Sequence, residues 1–548
     1  MRRKFLDDVS IVLAGAAGQG IQTIQHLLTH ILKSEGYHVF AMKDVMSRVR
    51  GGVNSTEIRI CSKRVSAYVD RMDLFLPLSP EAMKRYGHRI TNDTLVIDEK
   101  KIPMSKIAKE FGSDIYKNIV AVGFILGMFK VEKNVIERFV KEYFKDKPKF
   151  IKNNLLAVGK GYHIGKLYSS KITIKIKKDK KIAKELYMDG SEAVALGAIA
   201  GGCNFVSSYP MSPSTGVLVN MAKHSKNFDV LVEQVEDEIA AVNMSLGAWY
   251  AGARGLVTTS GGGFDLMTEG LSLSGMIETP LVVHIAQRSG PATGLPTRTE
   301  QSDLDLALYA GHGEYPRIVL APGDAEEAFY LTQRAMNLAD KYQLPVLILT
   351  DQFLVDSFYN LPSLNPTKIK NKQYFVRTDK NYKRYKFTSS GISPRGLPGF
   401  GKGLVCVDSD EHYEDGHITE DHSIRNKMVE KRLRKLEPIK NEISPEFFGN
   451  SKYKTLVVSW GSTKGVVKEA LEKLNKKGMS YLHFKQVWPL PNNTLNYLKK
   501  AKKIIVVENN ATGQFAKLLR REFGIDSEGV LKYSGLPFSV EELVKKLK

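Results

Sequence analysis

Tyr209-Pro210-Met211-Ser212-Pro213-Ser214-Thr215, then Glu236-Asp237-Glu238, then Thr259-Ser260-Gly261-Gly262-Gly263, then the long segment from Gln287-Arg288-Ser289-Gly290-Pro291 to Thr297-Arg298-Thr299-Glu300-Gln301: these four pieces fall in order between residues 209 and 301. Each follows a short apolar run that reads as a strand, at 204–208, 229–233, 255–259 and 281–286. Helical periodicity fills the gaps at 191–201, 215–224, 237–251, 265–275 and 324–340, and further strands are expected at 317–321 and 345–350. Strands alternating with helices in this way make a doubly wound, mostly parallel sheet with helices on both faces. All four pieces then gather at one edge of that sheet, where open α/β sheets bind their ligands.

Working outward, both flanks are α/β as well. Residues 9–14 read as a buried strand, Gly15-Ala16-Ala17-Gly18-Gln19-Gly20 as a loop, 21–32 as an apolar-periodic helix and 37–42 as the strand that completes a βαβ start. Arg50-Gly51-Gly52 punctuates the chain before short strands near 57–60, 74–78 and 95–97, and 118–128 looks helical. A lysine-rich bridge follows, in which Ile172-Thr173-Ile174-Lys175-Ile176 alternates like an exposed strand. Residues 360–450 have weak periodicity, and Ser393 to Gly399 is expected to be irregular. A last α/β unit has strands at 455–459, 479–484 and 503–507 and a helix at 464–474. The expected division is 1–170, a linker at 171–187, 188–360, a connecting segment at 361–450, and 451–548.

Composition narrows the class. With 548 residues, 43% hydrophobic and 25% charged, the chain is an ordinary globular protein of several domains. It has no apolar run of about 18 residues, so no membrane span is expected. The start, Met1-Arg2-Arg3-Lys4-Phe5-Leu6-Asp7-Asp8, does not resemble a signal peptide, so a cytoplasmic place is expected. Cys61, Cys203 and Cys406 stand far apart, which argues against a disulfide framework and against a cluster ligated by this chain alone; no metal site is expected. The net charge of +21 is concentrated in runs such as Lys177-Lys178-Asp179-Lys180-Lys181 and Lys431-Arg432-Leu433-Arg434-Lys435. A basic surface of this kind suits nucleic acid, phosphorylated cofactors or an acidic protein, and a lysine-rich thermophile-type surface would look the same.

Glu238 opens a helix whose next turns carry Ala240, Ala241, Gly247 and Ala248. It is either an ordinary first-turn acid favoured by the helix dipole or a buried carboxylate that shares a proton with a ring nitrogen of a cofactor. Ser214 and Thr215 read as caps for the next helix, whereas Ser212, between Met211 and Pro213, is a candidate donor to substrate. Arg288 opens a Gly/Pro/Thr-rich loop, where a guanidinium can take a carboxylate in two hydrogen bonds, or form a structural ion pair. Gly261 to Gly263 ahead of a helix could hold an anion on backbone amides, but the Lys-Ser/Thr ending of a P-loop is absent. Gly15, Gly18 and Gly20 miss the spacing of a dinucleotide fingerprint, although Asp44 falls where a ribose-binding acid would stand.

Taken together these segments resemble the 2-oxoacid:ferredoxin oxidoreductase family: an alpha subunit with the gamma domain fused at its N-terminus, over nearly the whole chain. Gly15 to Gly20 and Arg50-Gly51-Gly52 resemble the gamma domain, and Tyr209 to Ser214 is similar to the family's Tyr-Pro-Ile-Thr-Pro-Ser signature. Arg288 to Gln301 is similar to its most specific segment; Ser393 to Gly399 and His412 to Asp421 also resemble the alpha chain. The resemblance implies a gamma-type α/β domain, a thiamine-diphosphate pyrimidine-binding domain and a transketolase C-terminal-like α/β domain. It implies that Glu238 contacts the aminopyrimidine, with Tyr209, Pro210, Gly261 and Gly262 around the coenzyme. Arg288 would bind the substrate carboxylate, and Ser212 and Thr297 would hydrogen-bond the 2-oxoacid. Ser212 departs from the family's threonine, keeping the hydroxyl and losing a methyl. The implied reaction is oxidative decarboxylation, 2-oxoglutarate being the favoured substrate, with coenzyme A taking the acyl group and ferredoxin the electrons. No Gly-Asp-Gly followed by a suitably spaced Asn is present, so a separate beta subunit is expected to bring the diphosphate site, Mg2+ and the iron–sulfur cluster. Three rivals differ in class. An NAD-linked dehydrogenase would use the N-terminal glycine loop, a nucleic-acid-binding protein would use the basic surface, and a scaffold would do no chemistry. The lysine runs lack interleaved aromatics, which disfavours nucleic acid.

Overall fold

The computed structural model describes residues 3–18, 20–46 and 51–548. The chain forms two compact units: Met1–Met188 with Asp356–Ser363 and Ser539–Glu542, and Asp189–Val355 with Leu364–Phe538 and Leu543–Lys548. Gln19 of the first glycine loop, and Arg50 ahead of Gly51, lie outside the described residues.

The first unit is built on a seven-stranded mixed sheet. Its order is Leu95–Val96, Leu74–Pro77, Asp8–Ala16, Val53–Cys61, His38–Asp44, Phe358–Leu361 and Leu186–Asp189. The βαβ start is present, but its two strands are not neighbours: Val53–Cys61 lies between them, antiparallel to both. Helix Ile21–Ser34 buries Ile24, Leu27, Leu28, Ile31 and Leu32 at helical spacing. Phe358–Leu361, which periodicity did not reveal, adds a strand beside His38–Asp44. Asp44 is not a free ribose ligand: its carboxylate accepts from Tyr86 Oη at 2.7 Å and from Arg85 Nη2 at 3.1 Å. The alternating stretch at 172–176 does form a strand, Ile172–Lys175, pairing in parallel with Arg3–Leu6.

The second unit carries the doubly wound sheet. Its order is Leu231–Gln234, Phe205–Ser208, Gly255–Thr259, Leu281–Gln287, Pro345–Asp351, Ile318–Leu320 and Gln486–Trp488. All pairings are parallel except the last. The C-terminal ends of the parallel strands therefore share one edge, as the alternating pattern requires. A five-stranded sheet (Glu446–Phe448, Met479–Phe484, Thr455–Trp460, Lys503–Glu508, Glu528–Leu531) belongs to the same unit. One apolar core runs through both sheets, from Val257, Val283 and Leu347 to Leu456, Leu482 and Phe515. Among the described residues no helix is long and apolar enough to cross a membrane.

Two expectations for this unit need correction. Ser393 to Gly399 is not wholly irregular: Arg395–Gly401 is a strand paired in parallel with Phe375–Thr378. The sheet has only those two strands and a register shift between Val376 and Thr378, so Pro398 sits at an edge where its missing N–H is tolerated. The run at 431–435 is also not simply basic surface. Lys431 and Lys435 are buried and pair with the buried Glu278 at 2.5 and 2.6 Å, and the buried Arg432 pairs with Glu411 at 2.9 Å. Burial opposes the charge on Glu278, but Lys431, Lys435 and Arg384 outweigh it and hold the carboxyl well below the ordinary range. Much of this run's charge is thus compensated inside the fold. Cys61 and Cys203 are buried and reduced, and burial pushes the Cys203 thiol up to about 12, as befits an inert core residue.

Candidate active site

Helix Glu238–Tyr250 begins with a division of labour between two acids. Asp237 is the cap: its carboxylate accepts from Ala240 N at 2.7 Å. That frees Glu238, which is only 2% exposed and turned inward. Its Oε1 finds no hydrogen-bond partner among the described residues, and burial pushes its pKa up. Ordinary helix-start chemistry does not account for this, because a buried carboxyl oxygen left alone costs about 1–3 kcal/mol.

The glycine run was expected to be a loop ahead of a helix at 265. It is itself a helix, Gly261–Leu266, followed by Thr268–Met276. Contact explains the choice of residue. A methyl on Gly263 would lie 2.3 Å from Glu238 Oε1 and 2.2 Å from Thr259 Oγ1. A methyl on Gly261 would lie 2.3 Å from Asp303 Oδ2. Gly262 is exposed, its nearest neighbour the Ala292 carbonyl oxygen at 3.9 Å from such a methyl. Two carboxyl groups therefore flank one glycine turn, pressed against its backbone.

Arg288 follows the buried strand Leu281–Gln287 and is half-buried. Its Nη1 donates to the Ser212 carbonyl at 2.8 Å, while its buried Nε has no partner among the described residues. Burial lowers its pKa, and the nearby Asp303 works in the opposite sense. Arg288 and Ser212 are thus brought together, though through the serine backbone; the Ser212 side chain is at the surface. Ser214 occupies the cap position of helix Thr215–Phe228 but does not cap it, since its hydroxyl donates to Met211 O at 2.7 Å. Tyr209 is exposed and Pro210 half-buried at the sheet edge. Thr297 stands half-buried in the turn closed by Arg298 N donating to Leu295 O at 2.9 Å.

Three residues that the sequence reading did not single out shape this site. Gln301, fully buried, clamps the far end of the Arg288 loop onto the five-stranded sheet. Its Nε2 donates to Trp460 O at 2.9 Å, its backbone N–H to Asn509 O at 2.7 Å, and its Oε1 accepts from Asn509 N at 3.0 Å. Asp351, at the end of its strand, is buried, accepts from Leu354 N at 2.9 Å and from the Ser462 hydroxyl, and is pushed up to about 6 by burial. Asp303 lies against Gly261 within electrostatic reach of Arg288, and burial together with Glu300 pushes it up to about 7. An Asp ahead of a short helix reads as a cap, so no local signal marked it.

The family described as "Pyruvate flavodoxin/ferredoxin oxidoreductase, thiamine diP-bdg" matches residues 196–431, which contain every residue of this site from Tyr209 to Asp351, and the family "Pyruvate ferredoxin/flavodoxin oxidoreductase" matches residues 10–164. The 2-oxoacid:ferredoxin oxidoreductase subunit alpha of Sulfolobus sp is 33% identical over 98% of this chain and 96% of its own length. The chain belongs to the 2-oxoacid:ferredoxin oxidoreductases. It is an alpha-type chain of a thiamine-diphosphate-dependent oxidoreductase. Another member, the 2-oxoglutarate oxidoreductase subunit KorA of Mycobacterium tuberculosis, is 27% identical over 99% of this chain and 91% of its own. The solved 2-oxoglutarate:ferredoxin oxidoreductase from Magnetococcus marinus, with 2-oxoglutarate, coenzyme A and succinyl-CoA bound, is 31% identical over 99% of both chains and superposes with a TM-score of 0.93.

Proposed function

We propose that this chain forms one half of an active site that oxidatively decarboxylates a 2-oxoacid, with 2-oxoglutarate favoured, to its acyl-CoA while ferredoxin accepts the electrons. The observation that carries the reading is the buried Glu238 carboxyl set against Gly263, its Oε1 without a partner among the described residues. A carboxyl whose pKa burial raises is suited to share a proton with a ring nitrogen, and that nitrogen supplies the partner Oε1 lacks. The residues present therefore fit an aminopyrimidine. Bound there, thiamine diphosphate supplies the nucleophilic carbon and the electron sink.

The protein's part is positioning and charge. Glu238 holds the proton at the pyrimidine ring, Gly262 leaves the backbone open to a flat ring while Gly261 is backed by Asp303, and Tyr209 and Pro210 flank the coenzyme at the same sheet edge. Arg288, its Nε unpartnered, takes the substrate carboxylate. Ser212 and Thr297 offer hydroxyls to the 2-oxoacid, and the Gln301 clamp keeps that loop in register. A separate beta subunit supplies the diphosphate site with its Mg2+ and the iron–sulfur cluster. Support for this division comes from the names of the relatives, which are alpha subunits. Support for 2-oxoglutarate comes from the Mycobacterium and Magnetococcus proteins.

Co-expression of this chain with a candidate beta subunit tests the reading. The assembled enzyme should reduce ferredoxin with coenzyme A and 2-oxoglutarate faster than with pyruvate or a branched 2-oxoacid, and either chain alone should be inactive. Turnover by the isolated alpha chain would overturn the shared site, and preference for pyruvate would overturn the substrate.

A further inference from the structure

Asp303 is an acid in an unusual position. It precedes helix Leu304–Tyr309 at the capping position, yet its side chain makes no capping bond. Its carboxyl instead lies against Gly261, where a methyl would come within 2.3 Å of Oδ2 and 2.7 Å of Oδ1. Its backbone is fixed: the N–H donates to Gln287 Oε1 at 3.0 Å, and Gln287 Nε2 donates to Thr350 O at 3.0 Å. Oδ2 is buried and unpartnered among the described residues. The charged groups facing it are Glu300 from the same loop, Asp265 from the glycine helix and Arg288 from the strand end. Two of these three are acids. Arg288 is close enough to feel its charge, yet the two form no hydrogen bond among the described residues.

We propose that Asp303 is a positioning residue that sets how strongly Arg288 holds a substrate carboxylate: protonated, it leaves the guanidinium's charge to the substrate, and ionised, it competes for it. The proposal rests on the role of Arg288 given above. Its physical basis is that one cation cannot fully serve two anions in a poorly solvated site. Burial and Glu300 push Asp303 up to about 7, so the switch falls in the neutral range. An arriving carboxylate disfavours the ionised acid further, so substrate binding must draw in a proton wherever Asp303 is ionised in the free enzyme.

The test uses the assembled alpha–beta enzyme. For the wild type, KM for the preferred 2-oxoacid should rise by up to about tenfold per pH unit above roughly pH 7, with kcat changing much less. Asp303→Asn, which keeps the shape against Gly261, should flatten that rise in KM. Calorimetric titration of the wild type at pH 7.5 with the matching 2-hydroxy acid, in two buffers of different ionisation enthalpy, needs no variant and should show proton uptake. A steep KM profile that survives in Asp303→Asn, or binding without proton uptake, overturns the proposal. Arg288→Gln separates the two ideas: a KM that this change leaves unaltered sinks the assignment of Arg288 and the present inference with it. A large rise in KM for Arg288→Gln with no effect of Asp303→Asn on the profile sinks the inference alone.

Discussion

Two adjacent glycines make a sharp test, because the structure assigns them opposite responses to one methyl group. At Gly263 the methyl would lie 2.2 Å from Thr259 Oγ1 and 2.3 Å from Glu238 Oε1. Thr259 is fully buried and Glu238 nearly so, so neither can swing into solvent. Overpacking of this kind costs about 1–3 kcal/mol, from which the better helix propensity of alanine recovers about 1 kcal/mol. Gly263→Ala should therefore lose up to about 2 kcal/mol. At Gly262 the nearest atom is 3.9 Å away and the position is exposed, so Gly262→Ala should gain about 0.5–1 kcal/mol. The two variants should differ by about 0.5–3 kcal/mol, which for a unit of this size separates their thermal midpoints by roughly 1–4 °C. Thermal unfolding of the free chain reads this directly. In the assembled enzyme Gly263→Ala should also weaken thiamine diphosphate at least about tenfold, since it displaces the Glu238 carboxyl. Equal midpoints for the two variants would refute the packing argument. A destabilised Gly263→Ala with unchanged coenzyme affinity would refute the link between that packing and the coenzyme.

Glu278→Gln should destabilise the chain by about 3–5 kcal/mol in denaturant titration, because Lys431 and Lys435 stay buried without their carboxylate; replacing all three by apolar residues should be far milder. Gln301→Ala leaves Asn509 N without its partner and Trp460 O with only the Thr463 hydroxyl, and should cost about 1–3 kcal/mol, with faster hydrogen exchange across residues 288–303 and a higher KM for the 2-oxoacid. Asp303 and Asp351 have folded pKa values raised above their unfolded ones, to about 7 and about 6, so both bind more protons when folded. The contribution of these two acids to stability should therefore fall as pH rises from about 4 to 7, so the wild type should lose unfolding midpoint relative to Asp303→Asn across that range.

The doubly wound sheet was legible because its signal is periodic and local: buried strands, each ending in a distinct loop. Glu238 and Arg288 were singled out for the same reason, as charged residues where apolar strands or a helix start give way to a loop. What stayed hidden depends on distant partners. Gln301 meets Trp460 and Asn509, far along the chain, and a buried glutamine carries no sequence mark of that clamp. Lys431 and Lys435 looked like surface because nothing near them in sequence announces Glu278. The glycine helix was read as a loop because three glycines disfavour a helix, and only the close approach of Glu238 and Asp303 accounts for two of them. Phe358–Leu361 escaped because a four-residue strand added to the sheet of the other unit has no periodicity of its own.

The central claim is that Glu238 grips the ring of a thiamine coenzyme, and a structure of the assembled alpha–beta enzyme with thiamine diphosphate bound tests it most directly. The account predicts the Glu238 carboxyl about 2.6–3.2 Å from a pyrimidine ring nitrogen, with Gly263 backing the acid. A coenzyme bound elsewhere, with Glu238 still unpartnered or turned to solvent, would contradict it.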